Sequence, residues 1–222
     1  MVLTAGLSGA AVITTFTSGS GQTAWQTAVG TWSTFAFTGN SGLCTVCASP
    51  STPAGTTITA TVSGNNSYSG NFGDLFRDVL VSGAVPIASD PSLVALSTTT
   101  YTWSGGPMRA VGGIWDTQPL LNGGGIVIDV NLVGGGSQNI FTPAALFLTG
   151  GPIFVGWISD TPFTSFTLST TNNTSDPIGR PQGAEHYSLD NLQVVGVPEP
   201  ATLSMVGLAL LGLGALRRYR RS

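Results

Sequence analysis

The chain has 222 residues, 41% of them hydrophobic and only 8% charged, with 31 glycines, five tryptophans and a net charge of −3. That hydrophobic content excludes a disordered chain, which needs low hydrophobicity and high net charge. Residues 1–197 carry three cations (Arg77, Arg109, Arg180) against nine carboxylates, a net of −6, so they offer no basic face and nucleic acid is excluded as a partner.

Residues 1–10 are small and weakly apolar, and Ser8-Gly9-Ala10 has the small-x-small form of a signal cleavage site. The positive start and most of the apolar core of a signal peptide are missing. The segment reads as the remnant of a truncated signal peptide, against the alternative of a first strand over 2–16. Strands are then predicted over 11–17, 24–37, 56–63, 92–103, 108–116, 125–133, 139–149, 153–159, 163–170 and 186–195. In these segments Thr, Val, Ile, Phe, Tyr and Trp recur between Gly, Pro, Asn and Ser punctuation. Around Ile126, Ile128 and Val130 the apolar residues alternate with Asp129 and Asn131, the pattern of a half-buried antiparallel strand. Turn-rich linkers are predicted over 39–53, 64–73 and 170–183, and one short helix over 74–80 from the helical spacing of Leu75, Phe76, Val79 and Leu80. The fold class is all-β. Residues 11–196 are expected to form a single antiparallel β-sandwich of jelly-roll type, followed by a short hydrophobic C-terminal helix.

Few residues in the body carry chemistry. Cys44-Thr45-Val46-Cys47 holds the only cysteines and reads as a local disulfide. A redox dithiol would need a βαβ setting, and a zinc site would need four ligands. His186 is the only histidine, and no Gly-x-Ser-x-Gly elbow accompanies it. Only two glutamates exist, Glu185 and Glu199, so a pair of glutamates for glycoside hydrolysis would have to draw on the tail. The protein is therefore expected not to be an enzyme and to need no cofactor beyond one structural Ca²⁺. Asp190 and Asn191 are the candidate calcium ligands, with Asp116 or Asp160 as partners. Among the tryptophans, Trp115 beside Asp116 is singled out as a carbohydrate platform.

The C-terminal tail is the most specific feature. Pro198-Glu199-Pro200 comes first, an uncharged Leu/Gly/Ala run follows over 201–216, and Arg217, Arg218, Arg220 and Arg221 close the chain. The prolines hold an extended strip that fits a processing enzyme's cleft. As a helix the 16-residue run would span roughly 24 Å, short of a hydrocarbon core of about 30 Å. The arginines place the C-terminus on the cytoplasmic side.

Residues 197–222 closely resemble the PEP-CTERM sorting signal of Gram-negative bacteria, a segment also labelled an ice-binding protein C-terminal domain. The label describes the tail and implies no ice-binding activity. The resemblance implies export, a transient inner-membrane intermediate with a transmembrane helix over 201–216, and processing by an exosortase. Release to the cell surface or extracellular matrix follows, with exopolysaccharide or biofilm as the setting. Residues 101–195 also resemble carbohydrate-binding-like sandwiches that occur with such tails. The sequence-level function is thus a non-enzymatic, exopolysaccharide-associated surface protein. The alternatives are a secreted glycan-active enzyme or a structural surface protein without a specific ligand.

Overall fold

The computed structural model describes residues 11–17, 19–37, 42–63, 70–72, 75–81, 98–119, 126–141, 152–170 and 184–197. Strand β1 (Ile13–Thr17) leads into helix α1 (Gly19–Val29), followed by β2 (Ser33–Phe35), β3 (Gly42–Leu43), β4 (Val46–Pro50) and β5 (Thr57–Ser63). Next come β6 (Gly70–Phe72), β7 (Leu75–Val81), β8 (Thr98–Trp103) and β9 (Met108–Pro119). The chain continues through β10 (Ile126–Leu132), β11 (Ser137–Phe141), β12 (Ile153–Thr170) and β13 (Ala184–Gly196). All pairings between these strands are antiparallel.

Strand β12 organises the molecule. Its first half pairs with β9 on one side and β1 on the other. Its second half pairs with β8 and β10. Between the halves lie Asp160, Thr161 and Pro162, outside the paired registers, where the Asp160 N–H donates to the Val12 carbonyl and the Pro162 carbonyl accepts from the Val133 N–H. Proline has no N–H to offer a ladder, so this gap is where it is tolerated. The Ser159 hydroxyl donates to the Thr161 carbonyl at 2.6 Å and holds the corner. One layer therefore runs β6–β7–β13–β9–β12–β1, and the other β4–β5–β8–β12–β10–β11.

The two layers are one sheet of thirteen strands rather than the two separate sheets of a sandwich. Strand β2 pairs with β13 and also meets Thr52, just past β4, through reciprocal Thr34–Thr52 backbone bonds of 3.1 and 2.7 Å. The circuit β2–β13–β9–β12–β8–β5–β4 so returns to β2, and the sheet is nearly a closed barrel. The antiparallel all-β class holds, but the jelly-roll sandwich is replaced by this curled sheet. The reason is that 153–170 is one strand shared by both layers, where two strands were expected.

The interior holds the large apolar side chains, including Trp115, Trp157, Phe163 and Phe166. Tyr101 stacks on Phe166 with centroids 4.7 Å apart. Its hydroxyl meets that of Tyr187 at 3.0 Å, linking β8 to β13 across the barrel. Tyr101→Phe should cost about 1 kcal/mol in a urea unfolding measurement, the usual worth of one buried hydrogen bond.

Helix α1 covers the outside of the β1–β12–β9 layer. Gly21, Trp25 and Val29 are its buried positions, one residue per turn at i, i+4 and i+8, and Gln26 beside them bonds Gln193 of β13 through its side-chain amide. The helix stops at Gly30, whose φ of +80° and N–H to Gln26 carbonyl bond of 3.1 Å form a left-handed cap. Trp25 is fully buried, packs against Phe154 and donates its indole N–H to the Trp157 carbonyl at 3.2 Å. Its seat is a pair of opposed glycines, Gly112 and Gly156. A Cβ on Gly156 would lie 2.8 Å from Trp25 Cδ1, so Gly156→Ala should destabilise by roughly 1–3 kcal/mol through overpacking. Its chemical-denaturation midpoint will show it.

Three local expectations are corrected. Within 24–37, residues 24–29 are the end of helix α1 and only Ser33–Phe35 form a strand, because α1 presents just one apolar residue per turn among Ala, Thr and Gln. Residues 75–81 are strand β7 instead of a helix; they pair with β6 and β13, and their valines suit a strand. The linkers over 39–53 and 64–73 contain β3, β4 and β6. Residues 1–10 and the expected helix over 201–216 lie outside the described residues. Among the described residues no helix is long and apolar enough to cross a membrane.

Candidate functional site

The sorting segment begins where the folded body ends. Gly196 still pairs with Met108, and the Val197 N–H donates to the Pro107 carbonyl at 3.0 Å. Pro198 follows at once, so the body holds the chain up to the residue before the Pro-Glu-Pro strip. Beside Val197 lies a cleft of about 410 Å³, lined by Val12, Arg109, Ile158, Asp160 and Pro162 among others. Arg109 donates from Nη2 to the Val29 carbonyl at 3.2 Å, and its buried Nε–H meets no acceptor. Pro198, Glu199, Pro200, Arg217, Arg218, Arg220 and Arg221 lie outside the described residues.

Cys44 and Cys47 are joined by a disulfide, with Cα atoms 5.5 Å apart, Cys44 two residues ahead of β4 and Cys47 inside it. Cys47 is buried in the barrel. A four-residue loop gives a small entropic constraint, so replacing both cysteines with alanine should cost about 2 kcal/mol. The thermal midpoint should fall by roughly 4–8 °C for a domain near this size.

Among the calcium candidates, Asp190 and Asn191 are neighbours on β13, and Asp160 lies apart at the corner of β12. Asp190 and Asn191 sit at a bulge in β13, with Asn191 at φ +49°. The Asn191 backbone N–H reaches Asp190 Oδ1 at 2.6 Å, and its side-chain amide reaches Oδ2 at 2.8 Å. Each carboxylate oxygen of Asp190 thus already accepts a bond from its neighbour. Asp160 lies at the β12 corner, where Oδ1 accepts from the Val12 N–H at 3.0 Å and the Thr161 hydroxyl at 2.9 Å. Asp116 is opposite Ser188, one diagonal step from Asp190. Among the described residues no three His, Cys, Asp or Glu side chains are grouped to hold a metal ion.

Trp115 is fully buried and donates its indole N–H to the Val155 carbonyl at 3.3 Å. It presents no ring face to a sugar. Trp25 and Trp157 are buried too, and Trp103 lies across Gly105 and Gly196. The backbone of His186 is opposite Val79 and Gln118.

The sequence reading missed the outer surface of the second layer. There, register places side chains of six strands in rows. One row is Val46–Thr61–Thr100–Thr167–Asp129–Asn139. The next is Ala48–Thr59–Thr102–Ser165–Asn131–Ser137. Bonds run along the rows: Thr100 to Thr167 hydroxyl at 3.0 Å, Asn131 amide to Ser165 hydroxyl at 2.8 Å, Asn139 amide to Asp129 at 3.1 Å. The signal was present in Thr57-Ile58-Thr59-Ala60-Thr61 and Thr98-Thr99-Thr100-Tyr101-Thr102, whose period of two puts every second residue on one face.

Comparison with known families assigns the tail. Residues 196–221 match the family described as PEP-CTERM protein-sorting motif. The chain therefore carries a C-terminal sorting signal, and the motif implies an exosortase-targeted, secreted surface protein. No curated protein and no solved structure matches the chain.

Proposed function

We propose that this protein is exported, held transiently in the inner membrane of a Gram-negative cell through residues 201–216, and cut by an exosortase at or near Pro198-Glu199-Pro200. The body then acts at the cell surface or in the matrix as a non-enzymatic module associated with exopolysaccharide. The observation that carries this reading is the sorting motif at 196–221, starting where the last sheet pairing ends. Support for a non-enzymatic role comes from the sequence, where Glu185 is the only glutamate outside the tail.

The test is deletion of the exosortase. The full-length chain should then accumulate in the membrane fraction, and normal release would overturn the sorting reading. Processing also changes charge. The tail holds four arginines and Glu199, a net of +3, whereas residues 1–197 carry −6. The released form should therefore elute later than the precursor from an anion exchanger. Reducing sugar released from exopolysaccharide by the purified protein would overturn the non-enzymatic role.

A further inference from the structure

We propose that the outer face of the β4–β5–β8–β12–β10–β11 layer is a binding surface for an extended, uncharged polysaccharide chain. This rests on the matrix reading above and places its ligand on the molecule.

The two rows fill twelve positions, and nine of them are Thr, Ser or Asn, of which only Ser165 is buried. Such side chains both donate and accept, as sugar hydroxyls do. Strand spacing puts neighbours in a row about 4.8 Å apart, and two residues of rise put the rows about 6.7 Å apart. The result is a repeating array rather than a single pocket, and a repeating polymer is the partner whose groups recur in the same way. The cross-strand bonds fix side-chain rotamers before any ligand arrives, which lowers the entropy cost of binding. A hydroxyl has one donor and two acceptor sites, so one cross-strand bond leaves capacity for a partner.

Strand propensity alone explains single threonines but not their concentration in two rows on one layer. The outer face of the other layer carries Ala110, Gly112 and Ile114 on β9 and Phe154, Gly156 and Ile158 on β12. Helix α1 covers that face. On the hydroxyl face Thr61, Thr102, Ser137 and Asn139 are exposed to solvent.

Charge and shape narrow the ligand. The rows hold one carboxylate, Asp129, and no cation. With a net of −6 over residues 1–197 the body repels a polyanion. Sheet twist rotates each strand by about 20–25° from the next, so a rigid crystalline plane would touch only a patch. A single flexible chain can follow the twist. No exposed aromatic ring lies in the rows, so each contact is weak and affinity depends on many sugars binding together.

The experiment is affinity electrophoresis of the full-length chain in mild detergent through gels containing dextran, mixed-linkage β-glucan, galactomannan or alginate. The native chain should be retarded by at least one of the three neutral polymers, more strongly as polymer length increases. A Thr59→Val/Thr61→Val/Thr102→Val variant keeps the side-chain shape and strand propensity. It should bind about tenfold more weakly, the loss expected for a few hydrogen bonds. Thr14→Val, on the opposite layer, should bind as the native chain does. Undiminished binding by the triple variant, with an unchanged melting temperature, overturns this placement and leaves the matrix reading standing. No retardation by any neutral polymer, or retardation by alginate alone, overturns both.

Discussion

Replacing Pro198, Glu199 and Pro200 together with alanine leaves nearly all of the protein as a full-length precursor in the membrane fraction. The body should be unaffected, because its last ladder contacts involve Gly196 and Val197. What changes is the strip beyond. Two prolines within three residues favour an extended backbone and resist helix. Alanine, the strongest helix former, would let the helix expected over 201–216 grow back toward Val197. The processing enzyme would then meet a helix flush with the barrel instead of an extended strip. Immunoblots of membrane, surface and medium fractions read the outcome directly. Normal release of a shortened protein from this variant would sink the assignment of Pro-Glu-Pro as the processing signal.

Trp25→Ala has the largest expected effect on stability. It removes a fully buried indole, its contacts with Trp32 and Phe154, and its bond to the Trp157 carbonyl. Removal of a buried Trp costs about 3–5 kcal/mol. Here the floor under the ring is Gly112 and Gly156, which have no side chains to collapse into the void, so the upper part of that range is expected. Urea unfolding should show a lower midpoint. An unchanged midpoint would mean that α1 contributes nothing to the body. Trp25→Phe keeps an aromatic ring on the glycines and should lose clearly less.

How much of this was legible in the sequence varies by element. Strand β10 was read correctly because Ile126, Ile128 and Val130 are all buried and alternate with half-buried Asp129 and Asn131. Helix α1 was not legible: its buried stripe is Gly21, Trp25 and Val29, and a glycine gives no hydrophobic signal. Strand β12 read as two strands because Pro162 normally ends one, and only the exchange of partners around it lets the chain run on. Trp115 shows why composition cannot find a sugar platform, since its exposure is decided by the neighbours on β12 and β13. The threonine rows lie between these cases. Their period of two is visible within β5 and β8, but the rows exist only because β5 pairs with β8 and β8 with β12. The tail needed no tertiary context, because its signal is carried by local composition and order.

The place where the chain leaves the barrel has a mechanical consequence. Strand β13 is bonded on one edge to β9 and on the other to β7 and β2. Any pull transmitted from a membrane-held tail enters at Val197 and runs along the axis of this interior strand. Its ladder bonds are then loaded in shear, all together, rather than opened one at a time as at a peeled edge. A precursor held by its tail therefore resists unravelling from its C-terminal end until β13 itself gives way.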